Sequence, residues 1–408
     1  MAEVLLEDVS RVHPDGSVAV AGLSLHVRHG ELLALVGPSG SGKSTTLRLI
    51  AGLEPVSSGT IAIGGRVVNN LQPHERHVAM VFEKDSLYPH LTAGGNLRFG
   101  LEMGRVPKQE IDLRVQAESR VLGVSRLLGR LPRSLSAGQR QRVAVGRATV
   151  RVPSVFLLDE PLTHMDAAQR DRLRLELVQL QRGLGVTTMY VTHDQAQAMA
   201  IGDRIAVLRA GHVEQVDTPR ALYRWPVNTF VASFLGTPGM SLLAGAIERD
   251  RDGTWIAVGD QRLGFPGVPA GPLRRYVGRP VVIGLRPEHV TGAGAGGSAT
   301  APPRRRLRLA VAQVEHLGPE LLVTCAVNAP AVVVPDAAGD APPVIPVPAG
   351  PGGPGPAGSA GPAGRGTLLA RLPAHHAVRQ GELVELAVDV REMSFFDPVS
   401  GDALWHPP

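Results

Sequence analysis

Residues 37–44 read G-P-S-G-S-G-K-S, which is the spacing of a loop that binds phosphate groups. Glycines in such a loop let the backbone curl tightly, so that successive N–H groups point inward at phosphate oxygens. The Lys43 ammonium can reach the outer phosphates of a nucleotide, and the Ser44 hydroxyl can ligate Mg²⁺. We therefore predict a nucleotide site formed by Gly37, Pro38, Ser39, Gly40, Ser41, Gly42, Lys43, Ser44 and Thr45.

The residues on either side of this loop predict the elements that position it. The apolar run Leu32–Val36 indicates a buried strand, and Leu47, Leu49 and Ile50 begin a helical pattern. A helix at this place adds its positive N-terminal end to the phosphate site. The alternative is a glycine- and serine-rich turn before an ordinary helix.

Two further segments predict buried strands that lead to residues that could take part in the chemistry. Residues 155–161, V-F-L-L-D-E-P, predict a buried strand that ends at Asp159 and Glu160. The strand predicted at 187–192 ends just before His193. Ligands bind beyond the carboxyl ends of parallel strands, so we expect these side chains to face the phosphate loop. There Asp159 suits Mg²⁺, Glu160 suits a general base and His193 suits the outermost phosphate. Otherwise the acids are solvated and the histidine packs or lies at the surface.

Alternation of strands with helices predicts an α/β fold. We predict short strands over 3–30, helices at 107–122, 138–149 and Ala167–Leu184, and a hairpin over 205–216. Glycines and prolines predict loops at 90–95 and 130–136.

The composition limits the classes of protein to which the chain can belong. Its 408 residues suit two or three domains, and 43% hydrophobic residues suffice for their cores. The charge of +5 is scattered, so the sequence predicts no nucleic-acid partner. The single cysteine excludes an intramolecular disulfide and fits a reducing compartment. We see neither a signal region nor an apolar run of roughly 18 residues, so we expect a soluble chain that reaches membranes only through partners.

Further motifs carry a family resemblance. Residues 135–139 read L-S-A-G-Q and are followed by R-Q-R-V-A-V-G-R-A, and residues 163–166 read T-H-M-D. Together with the phosphate loop, the two acids and His193, and in this order, they make residues 3–236 resemble the ATP-binding subunit of ABC transporters. From the residues alone, Ser136 can cap the following helix.

The resemblance implies a P-loop ATPase domain at 1–236, with a helical subdomain at about 84–150. It implies ATP and Mg²⁺ as cofactors, Lys43, Glu160 and His193 as catalytic residues, and a D-loop containing Asp166. A homodimer or a paralogous ATPase partner would sandwich ATP against the signature motif, which consists of Leu135, Ser136, Ala137, Gly138 and Gln139. The implied Mg²⁺ ligands are Ser44, Asp159 and Glu83.

The C-terminal part resembles the maltose-type subfamily of these subunits. Its landmarks are G-L-R-P-E-H-V at 284–290, V-E-H-L-G-P-E at 314–320 and F-F-D-P-V-S-G at 395–401. This implies a small OB-type β-barrel at 237–408, and strands predicted at Pro280–Leu285, 307–314, 321–327 and 383–390 agree with it. Residues 336–366 are almost entirely Pro, Gly, Ala and Ser, which predicts a disordered insertion.

The resemblance predicts an ATPase that powers solute import, with a carbohydrate as the cargo. Its partners would be transmembrane permease subunits, contacted through residues 84–100, and indirectly an extracytoplasmic solute-binding protein. The chain would lie peripherally on the cytoplasmic face of the membrane. The alternatives are an importer of polyamines, glycerol phosphate or an inorganic ion, a non-transport ABC ATPase, and a detuned regulatory paralogue.

Five residues depart from the family pattern, namely His13, Glu83, His164, Met165 and Ala137, of which we expect Ala137 to be tolerated. His13 stands where an aromatic residue is expected to stack on adenine, and Glu83 replaces a glutamine that touches Mg²⁺ and the attacking water. A carboxylate can still ligate Mg²⁺, but it adds negative charge beside the γ-phosphate and removes the amide donor.

We therefore expect slow or Mg²⁺-sensitive hydrolysis, and a faster steady-state ATPase in Glu83→Gln. An assay of both proteins across a Mg²⁺ titration measures this effect. An unchanged rate in Glu83→Gln contradicts the prediction.

Overall fold

The computed structural model describes residues 2–82, 87–163, 165–267, 271–293, 303–334 and 365–405. The chain folds as two compact units, Met1–Pro219 and Arg220–Pro408. The domain boundary after residue 236 and the extent of the helical subdomain stay predictions.

The first unit contains two sheets. Its strands are β1 (Val4–Val12), β2 (Val18–Val27), β3 (Leu32–Val36), β4 (Ser58–Ile63), β5 (Arg66–Val67), β6 (Val78–Val81), β7 (Val155–Asp159), β8 (Thr187–Val191), β9 (Arg204–Arg209) and β10 (His212–Asp217). An antiparallel sheet has the order β2-β1-β4-β5. The other has the order β10-β9-β3-β8-β7-β6 and is parallel except for β10.

The helices of this unit are α1 (Lys43–Ala51), α2 (Ala93–Met103), α3 (Lys108–Val121), α4 (Ala137–Thr149), α5 (Ala167–Leu184) and α6 (Gln195–Ile201). The predicted bounds of α5 are confirmed, and Leu173, Leu177 and Leu180 are buried on its inner face.

The central strands read as continuous apolar runs because both faces of the parallel sheet are covered. On β7, Val155 and Leu157 belong to a core shared with α1 and the antiparallel sheet. Phe156 and Leu158 belong to a second core shared with α2, α4 and α5. All five residues of β3, β7 and β8 are buried, as the sequence predicts.

The loop predicted at 90–95 is wrong in its second half, because α2 begins at Ala93. The Thr92 hydroxyl caps this helix by accepting from the Gly95 N–H at 3.1 Å. Gly94 is needed for a close approach, since a Cβ on it would lie 3.0 Å from the Leu128 carbonyl oxygen.

The second unit begins with two short helices, α7 (Pro219–Arg224, whose first residue still belongs to the first unit) and α8 (Thr229–Phe234). Its strands are β11 (Ser241–Asp250), β12 (Gly253–Val258), β13 (Gln261–Phe265), β14 (Pro280–Leu285), β15 (Val290–Gly292), β16 (Arg306–His316), β17 (Glu320–Pro330), β18 (Arg365–Pro373), β19 (Leu383–Val388), β20 (Ser394–Phe396) and β21 (Ala403–Trp405).

These strands form two antiparallel sheets around one core. Their orders are β13-β12-β11-β14-β20-β21 and β15-β19-β16-β17-β18. Leu243 and Ile283 of the first sheet share a core with Val323 and Leu386 of the second. As the sequence predicts, this unit is a small β-domain, and its strands form two antiparallel sheets packed around one core.

Most of the predicted insertion, residues 336–364, lies outside the described residues. Its predicted end is wrong by two residues, because Arg365 and Gly366 begin β18. They pair with Pro330 and Val327 of β17, so their backbone is part of the sheet.

Candidate active site

The phosphate loop joins β3 to α1 through glycines that other residues could not replace. Gly40 and Gly42 have φ angles of 80° and 95°, which L-residues rarely adopt. A Cβ on Gly42 would lie 2.4 Å from the Ala19 carbonyl oxygen of β2. The turn therefore depends on glycine for its backbone angles and for its contact with the antiparallel sheet.

Lys43 is the first residue of α1, and its ammonium folds back over the loop. Its Nζ donates to the carbonyl oxygens of Gly37 at 2.9 Å and Pro38 at 2.8 Å. Burial lowers the pKa of Lys43, while the carboxylates of Glu160 and Asp159 oppose this shift. The positive charge is therefore held within the loop rather than in solvent.

Ser44 and Asp159 meet where α1 begins and β7 ends. The Ser44 hydroxyl donates to Asp159 Oδ1 at 2.8 Å, and the Asp159 side chain is buried. A hydroxyl and a carboxylate at this separation offer the hard oxygen ligands that Mg²⁺ prefers. The donor set therefore fits this ion.

Glu160 follows β7 in a strained backbone conformation, with a φ angle of 47°. Its N–H donates to the Val191 carbonyl of β8 at 3.0 Å, which holds the turn in place. Its Oε2 lies 2.8 Å from His193 Nδ1 and accepts from the Thr163 hydroxyl at 3.0 Å. The structure thus brings together Glu160 and His193, as the sequence predicts.

Thr163 is the member of this group that sequence reasoning missed. In the sequence it is only part of the motif 163–166, and nothing in that motif indicates a bond to Glu160. Its hydroxyl also lies 3.2 Å from the Glu160 carbonyl oxygen, so it holds both the backbone and the side chain of Glu160.

Comparisons with known proteins agree with this geometry. Residues 20–163 match the ABC transporter family, and residues 236–290 match the MalK OB fold domain. The trehalose/maltose import ATP-binding protein MalK of Thermococcus litoralis is 41% identical over 413 residues, covering 99% of this chain and 100% of the relative. This chain belongs to the ATP-binding subunits of ABC transporters.

Two other relatives are similar over different parts of the chain. The sn-glycerol-3-phosphate import ATP-binding protein UgpC of Chromohalobacter salexigens is 41% identical, covering 97% of this chain and 95% of the relative. The solved structure of cbiO1 from Clostridium perfringens, part of the ABC transporter complex cbiONQ, is 26% identical with a TM-score of 0.51. It covers 54% of this chain and 90% of cbiO1.

The residues predicted to form the signature motif, 135–139, lie at the start of α4. Ser136 caps this helix: its hydroxyl accepts from the Gln139 N–H at 3.3 Å, and its own N–H donates to Gln139 Oε1 at 3.0 Å. Within the motif, the Leu135 side chain is buried, whereas Ser136 is exposed. The capping predicted for Ser136 is confirmed, and Ala137 fits as the first helical residue.

Asp166 of the D-loop caps α5 by accepting from the Gln169 N–H at 2.9 Å. A Cβ on Gly138 would lie 3.1 Å from Gln169 Oε1, so the signature helix and α5 approach each other closely here. The residues predicted for the signature motif therefore lie against the first turn of the helix that Asp166 caps.

The roles of all the predicted site residues stay predictions. His13 lies in the turn between β1 and β2, where its N–H donates to the Ser17 carbonyl at 2.8 Å. Glu83 and its neighbour Lys84 lie outside the described residues, as does His164 of the D-loop.

Proposed function

We propose that this chain hydrolyses ATP to drive uptake of a carbohydrate through an ABC importer. The observation that carries the proposal is the convergence of the phosphate loop, the Ser44–Asp159 pair and the Glu160–His193 pair at one edge of the parallel sheet. Ligands bind at this edge in open α/β sheets.

In this proposal the loop N–H groups and Lys43 bind the phosphates of ATP. Ser44 and Asp159, together with the predicted ligand Glu83, would hold Mg²⁺. The bound ion would neutralise negative charge on the β- and γ-phosphates. When ATP binds, the Lys43 ammonium would exchange its hydrogen bonds to the Gly37 and Pro38 carbonyls for bonds to phosphate oxygens. Its charge attracts phosphate more strongly in this buried position than it would in water.

Glu160 orients the attacking water and accepts its proton. Among the described residues, its bonds to His193 and Thr163 both fall on Oε2, so Oε1 is the oxygen that would face the water. Because His193 uses Nδ1 toward Glu160, its Nε2 can contact the γ-phosphate. Electrostatic preorganisation of this kind carries most of phosphoryl-transfer catalysis.

A second ATP-binding subunit completes the site. The signature residues 135–139 would contact the γ-phosphate held by the partner subunit, in a head-to-tail homodimer or a pair with a paralogue. In support, Ser136 is exposed at the N-terminus of α4, where its hydroxyl and the positive end of the helix suit an anion.

We assign permease docking to a cleft of about 800 Å³ beside the parallel sheet. Its lining includes Met80, Phe82, Tyr88, Phe99 and Met103, which offer an apolar surface to a short helix. The Tyr88 ring lies 4.5 Å from the Phe99 ring, and the Arg147 guanidinium lies 5.3 Å from the Tyr88 ring centre. Residues 87–100 therefore supply part of the predicted permease contact.

Among the described residues, none of the helices is long and apolar enough to cross a membrane. We propose that the chain lies on the cytoplasmic face of the membrane, held there by permease subunits that receive solute from an extracytoplasmic binding protein.

Uptake measurements test the cargo. In cells of the source organism that carry Glu160→Gln in place of the natural chain, we expect uptake of labelled maltose or trehalose to fall to background. Cells carrying Glu110→Gln, a partly exposed acid paired with Arg114 on α3, serve as the control and should import normally.

The same uptake measurement distinguishes a carbohydrate from the alternative cargo, glycerol 3-phosphate. The name of the relative from Chromohalobacter salexigens favours glycerol 3-phosphate, and selective loss of its uptake in Glu160→Gln cells would support that cargo. If uptake of all three solutes persists, the proposed cargo is wrong.

A further inference from the structure

The first turn of α5 contacts three segments that carry predicted site residues. These are the signature motif, the D-loop and the segment that follows β8. Asp166 caps the helix, Gln169 lies against Gly138, and Arg170 reaches back to the D-loop. Arg170 Nη2 donates to the Met165 carbonyl oxygen at 2.9 Å, and Nη1 lies 3.8 Å from Asp194 Oδ2. Since Asp194 directly follows His193, one guanidinium group joins the D-loop to the segment that carries this histidine.

Asp194 is itself fixed to the sheet and to α6. Its N–H donates to the Thr192 hydroxyl at 3.0 Å, and its Oδ1 accepts from the Gln197 N–H at 3.0 Å. The Gln197 side chain in turn accepts from the buried Tyr190 hydroxyl of β8 at 3.0 Å. Asp194 therefore cannot shift without moving the end of β8 and the start of α6.

The Arg170–Asp194 pair is partly shielded from water. Its side chains are 33% and 29% exposed, whereas Arg172, which pairs with Glu176 further along α5, is 75% exposed. Screening by solvent and salt is therefore weaker at Arg170 than at Arg172. This difference supplies a matched control on the same helix.

We propose that Arg170 is a positioning residue for ATP hydrolysis, which couples the D-loop to His193. The inference rests on the proposed function, in which the D-loop faces the partner subunit and His193 contacts the γ-phosphate. When the two subunits close, a movement of the Met165 carbonyl acts through Arg170 on Asp194 and so on His193. The position of His193 relative to Glu160 then depends on the state of the D-loop.

A double-mutant cycle on the full chain tests this coupling. The variants are Arg170→Met, Asp194→Asn and the double variant; asparagine keeps the oxygen that caps α6 but removes the charge. We expect each single change to lower kcat for ATP hydrolysis about tenfold, since small displacements of catalytic groups are costly. We expect KM to stay within about twofold, and the double variant to be no slower than the slower single variant.

Arg172→Met is the control and should match the wild-type kcat. Arg170→Lys keeps the charge but not the paired donors, so its kcat should lie between those of the wild type and Arg170→Met. If Arg170→Met does not fold, as circular dichroism would show, Arg170→Lys replaces it in the cycle.

The outcomes separate this inference from the proposed function. A wild-type chain that does not hydrolyse ATP refutes the proposed function. An active wild-type chain with an unchanged kcat in the Arg170 variant, or with losses that multiply in the double variant, overturns only the role of Arg170.

Discussion

Glu160→Gln is expected to lower kcat for ATP hydrolysis by about 10² to 10⁴-fold while ATP still binds. Glutamine has the same shape but cannot accept a proton, and a positioned general base contributes an effect of this size. The change leaves the strained turn supported, because the Glu160 N–H bond to Val191 belongs to the backbone. The Thr163 hydroxyl can still donate to the amide oxygen in place of Oε2.

Single-turnover hydrolysis, measured beside equilibrium binding of a fluorescent ATP analogue, separates the two effects. Glu110→Gln on α3 is the control for loss of a carboxylate far from the phosphate loop, and it should keep the wild-type rate. If Glu160→Gln retains more than about a tenth of the wild-type rate, Glu160 is not the general base and another group must orient the water.

The parts of the fold and site that the sequence predicts are those encoded by local patterns. The strands β3 and β7 read as apolar runs because they are covered on both faces, and the polar residues that follow these runs therefore stand out. The phosphate loop has a fixed spacing because its backbone geometry requires glycines at set positions.

The parts that the sequence does not predict depend on contacts between distant segments. Gly94 looks like a loop residue, yet it lies in α2, where the nearby Leu128 carbonyl oxygen leaves little room for a side chain. Thr163 and Arg170 sit in a turn and on an amphipathic helix, where neither residue type signals a bond to Glu160 or Met165. Only the folded chain shows these partners.

Arg76 is the clearest case of a polar residue whose role is hidden in the sequence. It follows P-H-E in a segment that looks exposed, yet its side chain is buried and binds backbone oxygens. Its Nη1 donates to the carbonyls of Leu49 at 2.8 Å and Ile50 at 3.0 Å, at the C-terminal end of α1. Its Nε donates to the Leu71 carbonyl at 3.0 Å.

This arrangement places a positive charge where the α1 macrodipole is negative, and it adds a donor to the Leu49 carbonyl, which also accepts from the Gly52 N–H at 3.2 Å. Because α1 carries Lys43 and Ser44 at its other end, Arg76 supports the phosphate loop from the opposite end of the helix. It also lies two residues before β6, the strand that leads toward Glu83.

Arg76→Met is therefore expected to destabilise α1 by about 3 kcal/mol, since it removes the guanidinium hydrogen bonds to the Leu49, Ile50 and Leu71 carbonyls. Amide hydrogen exchange should show the last turn of α1 opening about a hundredfold more often, and affinity for the ATP analogue should fall with it. Arg66→Met, at an exposed arginine of β5, is the matched control and should exchange like the wild type. Unchanged protection of α1 in Arg76→Met would show that packing alone holds this helix, and the phosphate loop would then not depend on the arginine.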